Sequence, residues 1–155
     1  ISKNYRNYLK YGTLLRMNGK NDIAIDAYNK SLRCKPSASE PYLLIGDTYF
    51  SVNNYPLTIK AYEVPERKEW LNEERYRKYA YSLLMTYQID RAQIVYDNLL
   101  ADFPLDVTLL TERGTIEAIK GDYKTALAIF SKAKQIDPGN RIVIANIEQC
   151  IEKLK

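Results

Sequence analysis

The side chains of this chain that could carry out acid–base or nucleophilic chemistry are carboxylates, amines, hydroxyls and two thiols, because its 155 residues include no histidine. Histidine is the commonest general base and the commonest metal ligand. Neighbouring carboxylates such as Glu73 and Glu74 usually lie on a solvated helix face, and no apolar pocket or site geometry accompanies them in the sequence. No phosphate-binding, dinucleotide-binding, metalloprotease or serine-hydrolase motif is present. The sequence therefore favours a non-catalytic protein and predicts no catalytic residue, metal or cofactor.

Charge and cysteine content narrow the class of protein further. The net charge of +4 comes from 23 basic and 19 acidic residues spread along the chain, so no basic block favours nucleic acid as a partner. Cys34 and Cys150 are far apart in the sequence, and each is interpreted as a small apolar filler, with no disulfide framework. No stretch approaches the ~18 apolar residues that a membrane-spanning helix needs.

The start of the chain bears on its origin. It begins at Ile1, without a methionine, and helix-forming sequence follows almost at once. We therefore expect a fragment of a longer protein, so the lack of a targeting segment does not identify the compartment. The cytoplasm and a bacterial envelope or periplasm both remain open.

Three sets of equivalent residues, here called columns, recur at an interval of 34. They indicate the repeated structural units that position the polar side chains described above. A tiny residue occupies the first column, at Gly12, Gly46, Ala80 and Gly114. The second column lies twelve residues later, at Ala24, Thr58, Ala92 and Ala126. An aromatic ring follows sixteen residues after the first column, at Tyr28, Tyr62, Tyr96 and Phe130. A period of this length is typical of stacked repeat proteins, whose repeats bury their faces against their neighbours.

The first repeat carries a family pattern. Tyr8-x2-Tyr11-Gly12-x2-Leu15, followed by Ala24-x3-Tyr28 and by Pro36, resembles the tetratricopeptide repeat. The resemblance implies an all-α fold, namely a right-handed α-solenoid of helix-turn-helix repeats that forms one domain over residues 1–155. The implied repeats are about 5–38, 39–72, 73–106 and 107–140. A capping helix is expected over 141–155, with a buried stripe at Ile144, Ile147, Ile151 and Leu154.

Two repeats depart from the family pattern. In the fourth, Arg113 stands where the pattern has leucine, and Glu117 replaces an aromatic residue. In the second, Pro65 interrupts the second helix, because proline inside a helix removes a hydrogen bond and clashes with the preceding turn. We expect that helix to end near Val64 and residues 65–70 to be irregular.

The resemblance also implies where a partner binds. In the family, the first helix of each repeat lines a concave groove. The residues at these positions form a mixed surface with an apolar centre, which is typical of protein-binding patches. Leu43 and Tyr81 are expected to be exposed in it. The candidate partner-binding residues are Leu9, Thr13, Arg16, Leu43, Leu44, Asp47, Phe50, Arg77, Lys78, Tyr81, Leu84, Met85 and Glu112.

The predicted function is to hold a peptide or helix of a protein partner in this groove. The chain would then be an adaptor or assembly scaffold, and the resemblance suggests a bacterial secretion or pilus system. Chaperone C-terminal tails are not expected as partners, because Lys78 alone fits the family's carboxylate clamp. One alternative is a self-associating scaffold. The other is an RNA-binding helical repeat. It is less favoured, because the repeats of those arrays resemble one another at a slightly longer period than the 34 residues found here.

Overall fold

The computed structural model describes residues 2–64 and 71–155, and within these ranges the chain forms α-helices and turns but no strand. The chain divides into two compact units, the N-terminal unit (residues 1–82) and the C-terminal unit (residues 83–155). The predicted irregular segment at 65–70 lies outside the described residues. The helices are α1 (Ser2–Met17), α2 (Asn21–Cys34), α3 (Glu40–Ser51), α4 (Tyr55–Tyr62), α5 (Glu73–Met85), α6 (Ile89–Asp102), α7 (Val107–Ile119), α8 (Tyr123–Ile136) and α9 (Arg141–Lys153).

One type of turn ends the first helix of every repeat. Gly19, Asn53, Tyr87 and Gly121 occupy it with φ angles of 72°, 58°, 57° and 83°. In each case the N–H of this residue donates to the carbonyl three residues back, and the next N–H donates to the carbonyl five residues back. These bonds satisfy carbonyl groups that the end of a helix leaves unpaired. The recurrence of the turn at an interval of 34 supports the register read from the sequence.

The core of the N-terminal unit is built on the predicted columns. Tyr28 and Tyr62 are fully buried, and each ring lies against the tiny residue of the preceding helix. A Cβ atom on Gly12 would lie 2.6 Å from Cε1 of Tyr28. Glycine is therefore needed at Gly12 and Gly46 for close approach, because any larger side chain would occupy the volume of the ring.

The C-terminal unit repeats this packing, with the buried Phe130 ring against Gly114. Its last helix, α9, packs on α8. The buried side chains of α9 are Val143 and Cys150, and the latter confirms the prediction of an apolar filler at this cysteine. The predicted stripe was wrong at Ile151 and Leu154, which are exposed. Its other two residues, Ile144 and Ile147, are half-buried, because packing against α8 covers the face that holds Val143, Ile147 and Cys150.

A buried ion pair explains the two departures in the fourth repeat. The Arg113 guanidinium donates to the Glu117 carboxylate one turn away, and its Nε lies 2.6 Å from Oδ1 of Asp97. Lys120 Nζ lies 3.7 Å from the second oxygen of Glu117. The same columns hold apolar or tyrosine side chains in the other repeats. A polar pair has therefore replaced an apolar one, and each charged side chain has a partner of opposite charge.

Among the helices within 2–64 and 71–155, none combines the length and the apolar character that a bilayer crossing requires.

Candidate partner-binding site

Asp47 of α3 is the centre of a charged network in the N-terminal unit. Its carboxylate accepts a hydrogen bond of 2.6 Å from the Tyr62 hydroxyl on α4. From α5, Arg75 donates to both carboxylate oxygens, from Nε to Oδ1 over 3.2 Å and from Nη2 to Oδ2 over 2.8 Å. Lys78 Nζ lies 3.5 Å from Oδ1. Three helices therefore converge on one carboxylate, whose side chain is only 8% exposed.

The network fixes the protonation state of Asp47. Burial by itself raises the pKa of a carboxyl group, but hydrogen bonds from Arg75 and Tyr62, with the charges of Arg75 and Lys78, outweigh it and hold the pKa of Asp47 below its usual value. Burial and the Asp47 charge raise the pKa of the Tyr62 phenol. Asp47 is therefore ionised and Tyr62 is neutral at physiological pH, so the phenol stays a hydrogen-bond donor.

We expect the stability contributed by Asp47 to be lost in acid. The pKa of Asp47 in the folded protein lies below its unfolded value of about 3.9, so protonation destabilises the fold as the pH falls below that value. The wild type should have a higher thermal midpoint than Asp47→Asn, and this difference should be largest near neutral pH. The gap, measured by circular dichroism, should narrow below about pH 4. A gap of constant size from neutral to acidic pH would contradict the network.

An aromatic cluster adjoins this network. Phe50 of α3, Tyr55 of α4 and Tyr81 of α5 meet edge to face, with ring centroids 5.7 to 6.1 Å apart. Lys78 Nζ lies 5.8 Å from the centre of the Phe50 ring, close enough for a cation–π interaction. The three rings are half-buried. They therefore offer rigid apolar area beside a fixed cation.

The structure brings four of the predicted partner-binding residues together, namely Asp47, Phe50, Lys78 and Tyr81. It also corrects the prediction that Leu43 and Tyr81 are exposed. Leu43 is buried, and Tyr81 is half-buried because its ring packs against those of Phe50 and Tyr55.

The remaining predicted residues have these positions. Leu84 is buried, Met85 is exposed, Glu112 is half-buried, and Arg77 pairs with Glu73 at 2.9 Å. Leu44 packs partly buried against the N-terminal core, and Arg16 is also partly buried. Leu9 and Thr13 line a separate cleft on α1.

Known structures share this arrangement of helices. A crystal structure of the MamA protein superposes with a TM-score of 0.85 at 21% identity, over 99% of this chain and 84% of that one. YrrB, described as a TPR protein with an unusual peptide-binding site, gives a TM-score of 0.79 at 21% identity, over 94% of this chain and 75% of that one. MamA from Desulfovibrio magneticus gives 0.76 at 14% identity, over 98% and 92%.

The sequence comparison agrees with these superpositions. Residues 80–141 match the tetratricopeptide repeat family. The chain shares the fold of tetratricopeptide repeat proteins, and residues 80–141 carry the sequence of that family. Its fold is an all-α helical repeat solenoid. No curated protein sequence matches the chain.

The tetratricopeptide register shows which site residues the sequence analysis missed. Arg75, which holds Asp47, stands in a column that contains the buried Pro41 and Leu109 in neighbouring repeats. A charged residue in a buried apolar column is a signal that could have identified it. Tyr55 was also missed, because it is the first residue of α4 and lies outside the helices that line the tetratricopeptide groove.

In the part of the chain that the structure describes, no three histidine, cysteine, aspartate or glutamate side chains are grouped as a metal site requires.

Proposed function

We propose that the chain is a non-catalytic protein-interaction module that holds a peptide or helix of a partner on the inner helices of its N-terminal unit. The tetratricopeptide fold supports a protein–protein interaction scaffold. The observation that carries the finer proposal is the half-buried cluster of Phe50, Tyr55 and Tyr81 beside Lys78. We further propose that the four repeats and α9 act as a single domain.

The cluster has the physical properties of an interface centre. Aromatic side chains supply large contact area at a small entropic cost, and a few such anchors carry most of the energy of an interface. The rings are held in place by each other, and Asp47 fixes Arg75 and Lys78 from beneath. Such a preorganised surface loses little conformational entropy when a partner binds.

The test is a selection from a displayed random-peptide library on the immobilised protein. Peptides enriched on the wild type should bind Phe50→Ala and Tyr81→Ala at least about tenfold more weakly by fluorescence anisotropy, since truncating a central anchor often costs about 2 kcal/mol. Lys60→Ala, on the exposed face of α4, is the matched control and should bind as the wild type does. Equal affinity for all four proteins would move the binding site away from the cluster.

The proposal also covers the kind of partner and the assembly to which that partner belongs. YrrB, which shares the fold, is described as having a peptide-binding site, and this supports a peptide as the bound element here. We also propose, from the family resemblance alone, that the partner belongs to a bacterial assembly such as a secretion or pilus machine.

Self-association is the second candidate function, and α9 favours it. Ile151 and Leu154 are exposed one turn apart at the end of this helix, and contiguous apolar surface often marks an interface. Sedimentation velocity would detect a mass that rises with concentration and falls back to the monomer in Ile151→Asp. A constant monomer mass would exclude this candidate.

A further inference from the structure

The first helix, α1, exposes apolar side chains in columns that later repeats bury. Tyr11 is 53% exposed, whereas its counterparts Ile45 and Tyr79 are buried. Leu14 is 58% exposed, and the residues at its register position, Thr48, Ser82 and Ile116, are fully buried. In later repeats the preceding helix covers these columns. For example, α2 packs on α3 in the N-terminal unit, and α6 packs on α7 in the C-terminal unit. The face of α1 marked by Tyr11 and Leu14 therefore has the form of a seat for a helix.

The charges on α1 indicate the chemistry of that helix. Among its 16 residues are Lys3, Arg6, Lys10 and Arg16, and none is acidic. Within the described residues neither Arg6 nor Lys10 has a carboxylate partner. A second copy of α1 would place like charges together, which is unfavourable. An acidic segment would instead find complementary charge.

A cleft beside this face joins the apolar and the basic groups. It has a volume of about 430 Å³ and is lined by Arg6, Leu9, Lys10, Thr13, Leu14, Met17 and Glu40. The one carboxylate in this lining is Glu40, whose charge adds to burial in raising the pKa of Tyr5. The cleft therefore offers an apolar floor, through Leu9 and Leu14, with basic groups along it.

The first two repeats differ in the partner of the buried tyrosine hydroxyl. In the second repeat the Tyr62 hydroxyl donates to the Asp47 carboxylate. In the first, Thr13 holds the position of Asp47 and donates to the Leu9 carbonyl. Among the described residues, the buried Tyr28 hydroxyl and Arg16 Nε have no hydrogen-bond partner. Buried donors are normally paired, and a carboxylate is what pairs the equivalent hydroxyl in the next repeat.

We propose that the face of α1 formed by Tyr11, Leu14 and the adjoining cleft docks an acidic amphipathic helix of another protein. The apolar side chains of that helix cover Tyr11 and Leu14, as helices of the chain itself cover these columns in later repeats. Its carboxylates pair with Arg6 and Lys10. This face is distinct from the Phe50–Tyr55–Tyr81 cluster, so it makes the module bivalent.

The experiment uses two fluorescein-labelled synthetic peptides of about 18 residues. Both carry leucine at the i, i+3, i+4 and i+7 spacing of an amphipathic helix. One has glutamate at its polar positions, and the other has lysine. By anisotropy with the full chain, the glutamate peptide should bind at least about tenfold more tightly than the lysine peptide, and added salt should reduce the difference.

Variants of the chain then locate the site. Leu14→Asp and Lys10→Glu should each weaken binding of the glutamate peptide by about tenfold or more. Lys60→Glu makes the same charge change on the exposed face of α4, outside both proposed surfaces, and should leave it unchanged. Because Leu14 is largely exposed, Leu14→Asp should keep the wild-type helicity, which circular dichroism checks.

Several outcomes would overturn the proposal. These are equal affinity for the two peptides, full binding by Leu14→Asp, or no binding of the glutamate peptide. A dimer of the chain alone that Leu14→Asp dissociates would make a second copy the occupant. Binding to phosphatidylserine vesicles, lost in Lys10→Glu and without peptide binding, would make the face a membrane contact. Failure of the aromatic cluster to bind library peptides leaves these readouts unaffected, so the two proposals fail separately.

Discussion

Replacing Gly46 by leucine is expected to destabilise the protein by about 3 kcal/mol or more. A Cβ atom at this position would lie 2.6 Å from Cδ1 of Tyr62 and nearer still to Cε1. The ring cannot move aside easily, because it is fully buried and its hydroxyl is bonded to Asp47. The substitution would therefore separate α3 from α4 and disturb the charged network above them. Thermal and urea unfolding followed by circular dichroism would measure the loss.

Two controls separate this clash from a general effect of mutation. A Cβ atom on Gly139 would meet nothing nearer than Asp137 Oδ1 at 3.9 Å, so Gly139→Ala should change stability by no more than about 0.5 kcal/mol. Lys60→Ala, on the exposed face of α4, should also stay within that range. If Gly46→Leu melted together with these controls, the assignment of the tiny-residue column would be wrong.

The second large effect is expected at the buried pair of the fourth repeat. Arg113→Leu should cost about 3 kcal/mol, because it leaves the Glu117 carboxylate buried without its guanidinium partner. Glu117 is 8% exposed at its side chain, and Lys120 at 3.7 Å compensates only in part. The double variant Arg113→Leu with Glu117→Leu restores the apolar columns of the other repeats. It should be at least as stable as the wild type, since a well-packed apolar pair often replaces a buried ion pair without loss.

Urea unfolding of the single and double variants tests this coupling. The double variant should be more stable than Arg113→Leu. Such a departure from additivity measures the interaction energy between positions 113 and 117. Thr125→Ala, at the exposed start of α8, serves as a control for a change outside the pair, and it should cost about 1 kcal/mol at most through its bonds to Asp122. A double variant less stable than both single variants would show that the fold requires the charges themselves.

The packing of the helix pairs was predictable because it repeats. Gly12 with Tyr28 and Gly114 with Phe130 recur at fixed spacing, and a small residue opposite a large ring has one structural explanation in a helix pair. The left-handed turn at Gly19 was predictable for the same reason, since glycine there adopts a positive φ without strain.

The charged centre of the site was only partly predictable. Asp47 and Lys78 were placed in the groove by register, but Arg75 was missed because its role depends on a contact between α3 and α5 across 28 residues. Position within one helix does not reveal such a contact. The buried stripe of α9 failed for a related reason, since α8 selects which face of α9 is covered, and that selection depends on the shapes of both helices.

Foreign sequence can be inserted at Tyr87 with little disturbance of the fold. Its left-handed backbone, with φ of 57°, costs a residue that has a Cβ atom about 1–2 kcal/mol, and its side chain is 76% exposed. A longer loop adds only about 0.6 kcal/mol for each doubling of its length. The equivalent Asn53 is tied to the aromatic cluster by a 3.0 Å hydrogen bond from Tyr55. An epitope tag, a fluorophore or the new termini of a circular permutant therefore belong in the third turn and not in the second.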